Sequence, residues 1–253
     1  MAERRTPNEV FEAYRYCMAH IVIRTDDGDL QSGSAFHIGD GYYVTARHVA
    51  EQEIVEFIRY ADGPAGSEAA EVLLPRQGVV DLALLKTDHT PKLPTYGGDY
   101  RPCHEDHIPI GGHLDDWLDN GMTLLEVVMM GYPPIPMARD PVLVAVVGHV
   151  NAVIDKRLAD SHPHFVVSAL PRGGFSGGPV ICQDWLVGVV TESLVENGAP
   201  PELGYAAAVS VEPLWDLLQT YGIYPASNGD FLRDVYDPAV EAAKRPPGDA
   251  TGR

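Results

Sequence analysis

The sequence predicts an all-β protein built as two successive β-barrels, with helices confined to its two ends. Three observations carry this expectation. Short β-branched runs punctuated by glycine- and proline-bearing turns recur along most of the chain. They fall into two sets, divided by a stretch of different composition from about 97 to 121. Helical apolar spacing occurs only near the termini, as expected when sheets rather than helices form the core. With 253 residues, 45% of them hydrophobic, the chain is long enough to bury a substantial core.

In chain order, Thr6-Pro7-Asn8-Glu9 predicts a helix start: a capping hydroxyl, proline at the first helical position and an acid in the first turn. Val10, Phe11, Tyr14 and Cys17 share one helical face and extend it to about His20. The pattern then turns to strand. His20–Arg24 is β-branched, and Asp26-Asp27-Gly28-Asp29 supplies a turn. Strands are expected at Ser34–His37, Tyr42–Thr45, Ile54–Tyr60, Glu71–Leu74 and Leu82–Leu85. After the divide they are expected at Leu124–Met130, Val142–Ile154, Phe165–Ser168, Pro179–Cys182, Leu186–Thr191 and Tyr205–Val209. Val211–Leu218 reads as a terminal amphipathic helix, and Arg245–Arg253 as a disordered tail. The resulting division is an N-terminal helix over 1–18, a first barrel over 19–100, a connecting loop over 101–121, a second barrel over 122–211 and a C-terminal helix and tail over 212–253.

Charge and composition exclude several functions. Lys and Arg number 18 against 36 Asp and Glu, a formal net charge of −18, which repels phosphate backbones and argues against nucleic acid. The longest apolar run, Val142–Val147, is too short to span a bilayer, and no apolar core of a secretion signal stands at the N-terminus. Cys17, Cys103 and Cys182 form neither a disulfide framework nor a zinc spacing, so a reducing cytoplasmic setting is expected. His104-Glu105-Asp106-His107 with His113, and His162-Pro163-His164, gather ligand-type side chains. Their spacing matches no metal motif, and they read as solvated polar loops. No metal or cofactor is expected.

The chemistry concentrates in three segments. In Gly173-Gly174-Phe175-Ser176-Gly177-Gly178, four glycines frame one serine. Glycines let a backbone turn sharply and approach a carbonyl with no Cβ in the way. Such a turn can aim the N–H groups of Gly174 and Ser176 at one point beside the serine hydroxyl. Tyr43-Val44-Thr45-Ala46-Arg47-His48-Val49 places a histidine at the end of a β-rich run. Val79-Val80-Asp81-Leu82-Ala83-Leu84-Leu85 sets an aspartate in an apolar run, where a carboxylate needs a partner. Taken singly, the three have bland readings: a hairpin turn, a core histidine and a strand-edge aspartate.

Together they resemble the trypsin-like serine peptidases, and more nearly their bacterial HtrA-like branch. The resemblance rests on Thr45-Ala46-Arg47-His48-Val49, Asp81-Leu82-Ala83-Leu84-Leu85, Gly174-Phe175-Ser176-Gly177-Gly178-Pro179 and Gly188-Val189-Val190-Thr191. Asp81 follows His48 by 33 residues and Ser176 follows Asp81 by 95, in the family's order of His, Asp, Ser. The resemblance covers about residues 20–220 and implies two antiparallel six-stranded barrels of the chymotrypsin type; unlike the HtrA-like arrangement, no PDZ-like domain is expected after the peptidase region. It implies an endopeptidase with His48, Asp81 and Ser176 as its triad and the N–H groups of Gly174 and Ser176 as its oxyanion hole. Thr191 would stand near the aspartate. Thr191, Glu192 and Ser193 would pair with an extended polypeptide substrate, and Leu170 would floor the first specificity pocket, favouring small to medium aliphatic side chains. A regulatory protein partner is compatible with this reading.

One departure matters. Digestive members carry an aspartate before the serine to capture a newly cleaved N-terminal ammonium, whereas this chain has Phe175. Activation by N-terminal processing is therefore not expected. Two rivals remain. Gly174-Phe175-Ser176-Gly177-Gly178 also fits the G-x-S-x-G elbow of α/β-hydrolases, but that fold needs a histidine after the serine, and the last here is His164. The other rival is a catalytically silent trypsin-like module that binds peptides.

Overall fold

The computed structural model describes residues 5–60, 71–76, 80–88, 91, 93, 104–111, 121–154, 162–169, 173–193 and 205–225. Helix α1, Pro7–Tyr14, begins at Thr6, where a capping box joins the Thr6 hydroxyl to the Glu9 N–H and the Glu9 carboxylate to the Thr6 N–H. It is shorter than expected. A single 3₁₀ turn, Arg15–Cys17, follows, and strand β1 already begins at Met18. Met18, Ala19 and His20 pair with Phe36, Ala35 and Ser34, so ladder bonds override the helical spacing that reached His20.

The first set of strands is β1 (Met18–Arg24), β2 (Leu30–Gly39), β3 (Tyr42–Thr45), β4 (Glu53–Arg59), β5 (Glu71–Leu73) and β6 (Ala83–Lys86). They form one antiparallel six-stranded sheet in the order β4-β1-β2-β3-β6-β5. The strand pattern of residues 19–100 predicts a closed barrel. Among the described residues the two edge strands, β4 and β5, are not paired with each other, and the chain joining them, 61–70, lies outside the described residues. A three-residue β5 offers few ladder positions for closure.

The second set does close: β7 (Glu126–Gly131), β8 (Val144–Ile154), β9 (His164–Val167), β10 (Pro179–Cys182), β11 (Trp185–Ser193) and β12 (Ala206–Ser210) run around a barrel in the order β10-β11-β12-β9-β8-β7. Every pairing in both sheets is antiparallel, which excludes the α/β-hydrolase rival. Helix α3, Glu212–Tyr221, ends at Gly222 in the left-handed conformation and covers the barrel with Leu214, Trp215, Leu217 and Leu218.

Two cores result. One is the interior of the first sheet, filled by Ala19, Ile21, Ala35, Tyr43, Phe57, Ala83 and Leu85. The other runs through the second barrel and takes in the opposite face of the first sheet through Met18, Phe36, Val44, Leu82 and Leu84. Strands β2, β3 and β6 are thus buried on both faces. That is why Asp81–Leu85 reads as a continuous apolar run after its aspartate rather than as an alternation.

The stretch read as a connecting loop is partly a strap. Ile108 and Ile110 are buried in the core, Ile110 bridges Leu186, and the indole of Trp215 donates to the Gly111 carbonyl at 3.0 Å. His104 bonds the Glu12 carbonyl through Nδ1, and the Glu105 N–H donates to the Ala13 carbonyl. Buried His37 accepts the Gly41 N–H at Nε2 and donates from Nδ1 to the Asp106 carbonyl; burial pushes its pKa down to about 4. His113 lies outside the described residues.

Candidate active site

The candidate site lies where the two sheets meet, and each part arrives on a different element. His48 was expected at a strand end. It sits instead in a one-turn helix, α2 (Arg47–Ala50), directly after β3. No side chain of its N-cap residue, Ala46, serves the helix's first amides. Asp81, two residues before β6, fills that role. Its Oδ1 accepts the His48 N–H at 2.9 Å while its Oδ2 accepts from His48 Nδ1 at 2.8 Å. One carboxylate therefore caps the helix and orients the ring it carries.

A carboxylate can only accept, so the proton of neutral His48 resides on Nδ1 and its Nε2 presents a lone pair. The Asp81 hydrogen bond raises the His48 pKa above 6.5, opposed by burial and aided by the aspartate's charge. The pair is half-buried: the side chains retain 50% and 33% of their exposure, enough for a substrate to reach the ring.

Ser176 arrives on the turn between residues 173 and 178, which leads into β10. Gly174 has φ +97°, and a Cβ there would stand 2.3 Å from the Tyr132 carbonyl oxygen. Gly177 has φ +85°, and its Cβ would stand 2.2 Å from the Ser34 carbonyl oxygen and 2.4 Å from the Thr45 hydroxyl. These contacts explain the glycines: Gly174 lets the turn press on the end of β7, and Gly177 lets it press on the first sheet. Phe175 is buried, with its ring over Gly131. An apolar anchor thus stands where digestive members of the resembling family use an ion pair. The Ser176 carbonyl accepts the Ser34 N–H at 2.9 Å, which ties the turn to the sheet carrying His48. Gly177→Ala is expected to cost about 2–4 kcal/mol by urea denaturation.

The Ser176 hydroxyl donates to the Thr191 carbonyl at 3.3 Å and is not hydrogen-bonded to His48. Thr191 was expected near the aspartate. Its hydroxyl donates to the Ala207 carbonyl at 3.4 Å. The reason is a bulge: Val190 pairs with Ala208 and Glu192 with Ala207, leaving Thr191 as the extra residue, with its hydroxyl turned to β12. Glu192 and Ser193 continue the pairing with β12. On the other side of β11, pairing with β10 reaches no further than Val189. Beyond the Val190 contacts with Gly177 and Gly178, residues 191–193 present a strand edge without a strand partner among the described residues. Leu170 lies outside the described residues.

Ser34 and the capping role of Asp81 escaped sequence reasoning. The only signal for Ser34 was a lone hydroxyl opening the run Ser34–Ile38, where every side chain proves buried.

Comparison with known proteins agrees with this architecture. No curated protein matches the chain by sequence. HL collagenase superposes with a TM-score of 0.62 and 19% identity over 84% of this chain and 97% of its own. The HtrA-type protease AlgW with tripeptide gives 0.59 and 18% over 85% and 63%. The active form of the Rv3671c protease from M. tuberculosis gives 0.58 and 20% over 88% and 90%. These identities establish likeness of fold, and the chain spans only about 63% of the length of AlgW. The family model for the trypsin-like peptidase domain matches residues 33–189, a span that runs from β2 to β11 and includes His48, Asp81 and Ser176. The chain belongs to the trypsin-like peptidase domain family.

Proposed function

We propose that the chain is a serine endopeptidase acting on extended polypeptides through His48, Asp81 and Ser176. The observation that carries this reading is the His48 Nδ1–Asp81 Oδ2 bond of 2.8 Å, which leaves Nε2 free to accept a proton. Ser176 Oγ attacks the scissile carbonyl carbon while its proton passes to Nε2, and the carbonyl oxygen becomes an oxyanion facing the N–H groups of Gly174 and Ser176. As the C–N bond breaks, Nε2 returns the proton to the departing amine, leaving an acyl-enzyme. Water repeats the sequence and restores Ser176. The edge at 191–193 supports pairing of the substrate backbone by β-augmentation.

Constitutive assembly fits the packing. Phe175 anchors the serine turn without a charge partner, and Ile21 lies fully buried in β1, paired with Gly33 on one side and Phe57 on the other. A cut before Ile21 would sever an interior strand. The intact purified chain is expected to react with a fluorophosphonate probe, with Ser176→Ala abolishing the reaction. A requirement for cleavage before Ile21 would contradict this.

One observation favours a second reading. The Ser176 hydroxyl faces Thr191 rather than His48, as in a silent or partner-activated peptide-binding module. Binding of extended peptides with no probe labelling would identify that module, and labelling restored by a protein partner would identify its trigger.

A further inference from the structure

Ser34 makes two hydrogen bonds to the nucleophile turn. It lies on β2, opposite His20, and is completely buried. Its N–H donates to the Ser176 carbonyl at 2.9 Å. Its hydroxyl donates to the Gly174 carbonyl at 2.6 Å and accepts the Tyr132 N–H at 2.9 Å. Its own carbonyl accepts the Thr45 hydroxyl at 2.7 Å. Every polar atom of the residue is therefore committed.

A hydroxyl at a fully buried strand position is unfavourable unless it bonds, and here the bonds converge on one turn. The carbonyls that Ser34 holds belong to Gly174 and Ser176, which flank Phe175. Pinning both fixes the orientation of the intervening peptides, and the last of these carries the Ser176 N–H. The Tyr132 bond adds the end of β7, against which Gly174 already presses. One serine thus joins three pieces: the sheet that carries His48, the end of β7 and the turn that carries Ser176.

We infer that Ser34 is a positioning residue, a clamp that holds the Gly174–Ser176 turn with the Ser176 N–H aimed at the reacting carbonyl oxygen. The catalytic consequence of the clamp rests on the peptidase reading; the clamp itself does not. Removing the hydroxyl should affect transition-state stabilisation rather than substrate binding, because the oxyanion exists only after attack. It should leave His48 titration alone, since none of the Ser34 hydrogen bonds goes to His48 or Asp81.

The test is Ser34→Ala, with Ser34→Cys as a second variant that keeps the size and weakens the hydrogen bonds. Both are assayed with a peptide substrate and by site-resolved amide exchange. In Ser34→Ala, kcat is expected to fall about 30–300-fold, a large part of the loss of one oxyanion donor. KM and the acid limb of the pH profile should stay in place. The Tyr132 and Gly178 amides should exchange at least about tenfold faster while β11 amides are unchanged. Ser34→Cys should fall between the two, and it alone decides the matter if the alanine variant does not fold. Unchanged exchange at Tyr132 and Gly178 would overturn the clamp whether or not the protein is active. Faster exchange with undiminished kcat, or an acid limb that moves with kcat, would overturn the positioning role. If the wild type turns over no peptide at all, the peptidase reading fails, and amide exchange still decides the clamp.

Discussion

Ser176→Ala is expected to lower kcat/KM by about 10⁶-fold and to abolish fluorophosphonate labelling, with little change in fold or in peptide affinity. The size follows from the way the three side chains act as a unit: without the nucleophile, the His48–Asp81 pair has no proton to accept. The residue's structural contributions, by contrast, are mostly backbone. Its carbonyl accepts the Ser34 N–H, and Gly177 and Gly178 hold the turn to Val190, so alanine keeps these bonds and loses only the 3.3 Å contact with Thr191. The substrate pairing proposed along residues 191–193 would likewise be independent of the hydroxyl. Measured kcat and KM on one peptide therefore separate the outcomes. A fall confined to kcat supports the nucleophile, whereas a variant keeping more than about 1% of wild-type kcat/KM would remove Ser176 from that role. A wild type that is itself unreactive while binding peptides would move the reading to the silent module.

The parts of the site legible in the sequence are those whose chemistry forces an unusual residue into a β context. Four glycines around Ser176 had no reason to be there unless the backbone turned tightly, and the contacts at Gly174 and Gly177 supply that reason. Asp81 in an apolar run had to have a partner, and it has His48. The division into two sets of antiparallel strands was legible because turn residues separate them, and most strand positions agree within a residue or two. What escaped was nonlocal. Helix α2 has only four residues, too few for periodicity to show, and it depends on a carboxylate 33 residues further along the chain. The end of α1 was misplaced because Met18–His20 carries an apolar spacing compatible with either structure until β2 is alongside. Ile108 and Ile110 were hidden among the charges and histidines of a segment whose composition suggested solvent. The turn of the Thr191 hydroxyl toward β12 follows from a one-residue bulge, which no side-chain pattern announces.

Asp81→Asn should lower the plateau kcat by about 10⁴-fold while moving the acid limb of the kcat/KM profile to lower pH. Both effects follow from the two bonds that Asp81 makes. An asparagine has one oxygen, and keeping the bond to the His48 N–H turns its NH₂ toward Nδ1. Nδ1 must then accept, so the neutral ring carries its proton on Nε2 and has no lone pair for Ser176. The pH shift has the opposite sign to a simple loss of activity. In the wild type the Asp81 hydrogen bond is the largest influence on His48 and raises its pKa above 6.5, so activity grows as pH rises through that value. Without the carboxylate the remaining influence is burial, which lowers the pKa. Stability follows the same linkage. A raised histidine pKa stabilises the fold most below 6.5 and loses that contribution as pH rises through the folded-state value. Asp81→Asn should therefore cost more stability at pH 5 than at pH 9, measured by urea denaturation at each pH. A variant that loses kcat with its acid limb unmoved would mean that Asp81 holds α2 in place without tuning His48. One that keeps a tenth or more of wild-type kcat would remove Asp81 from the proton-transfer machinery.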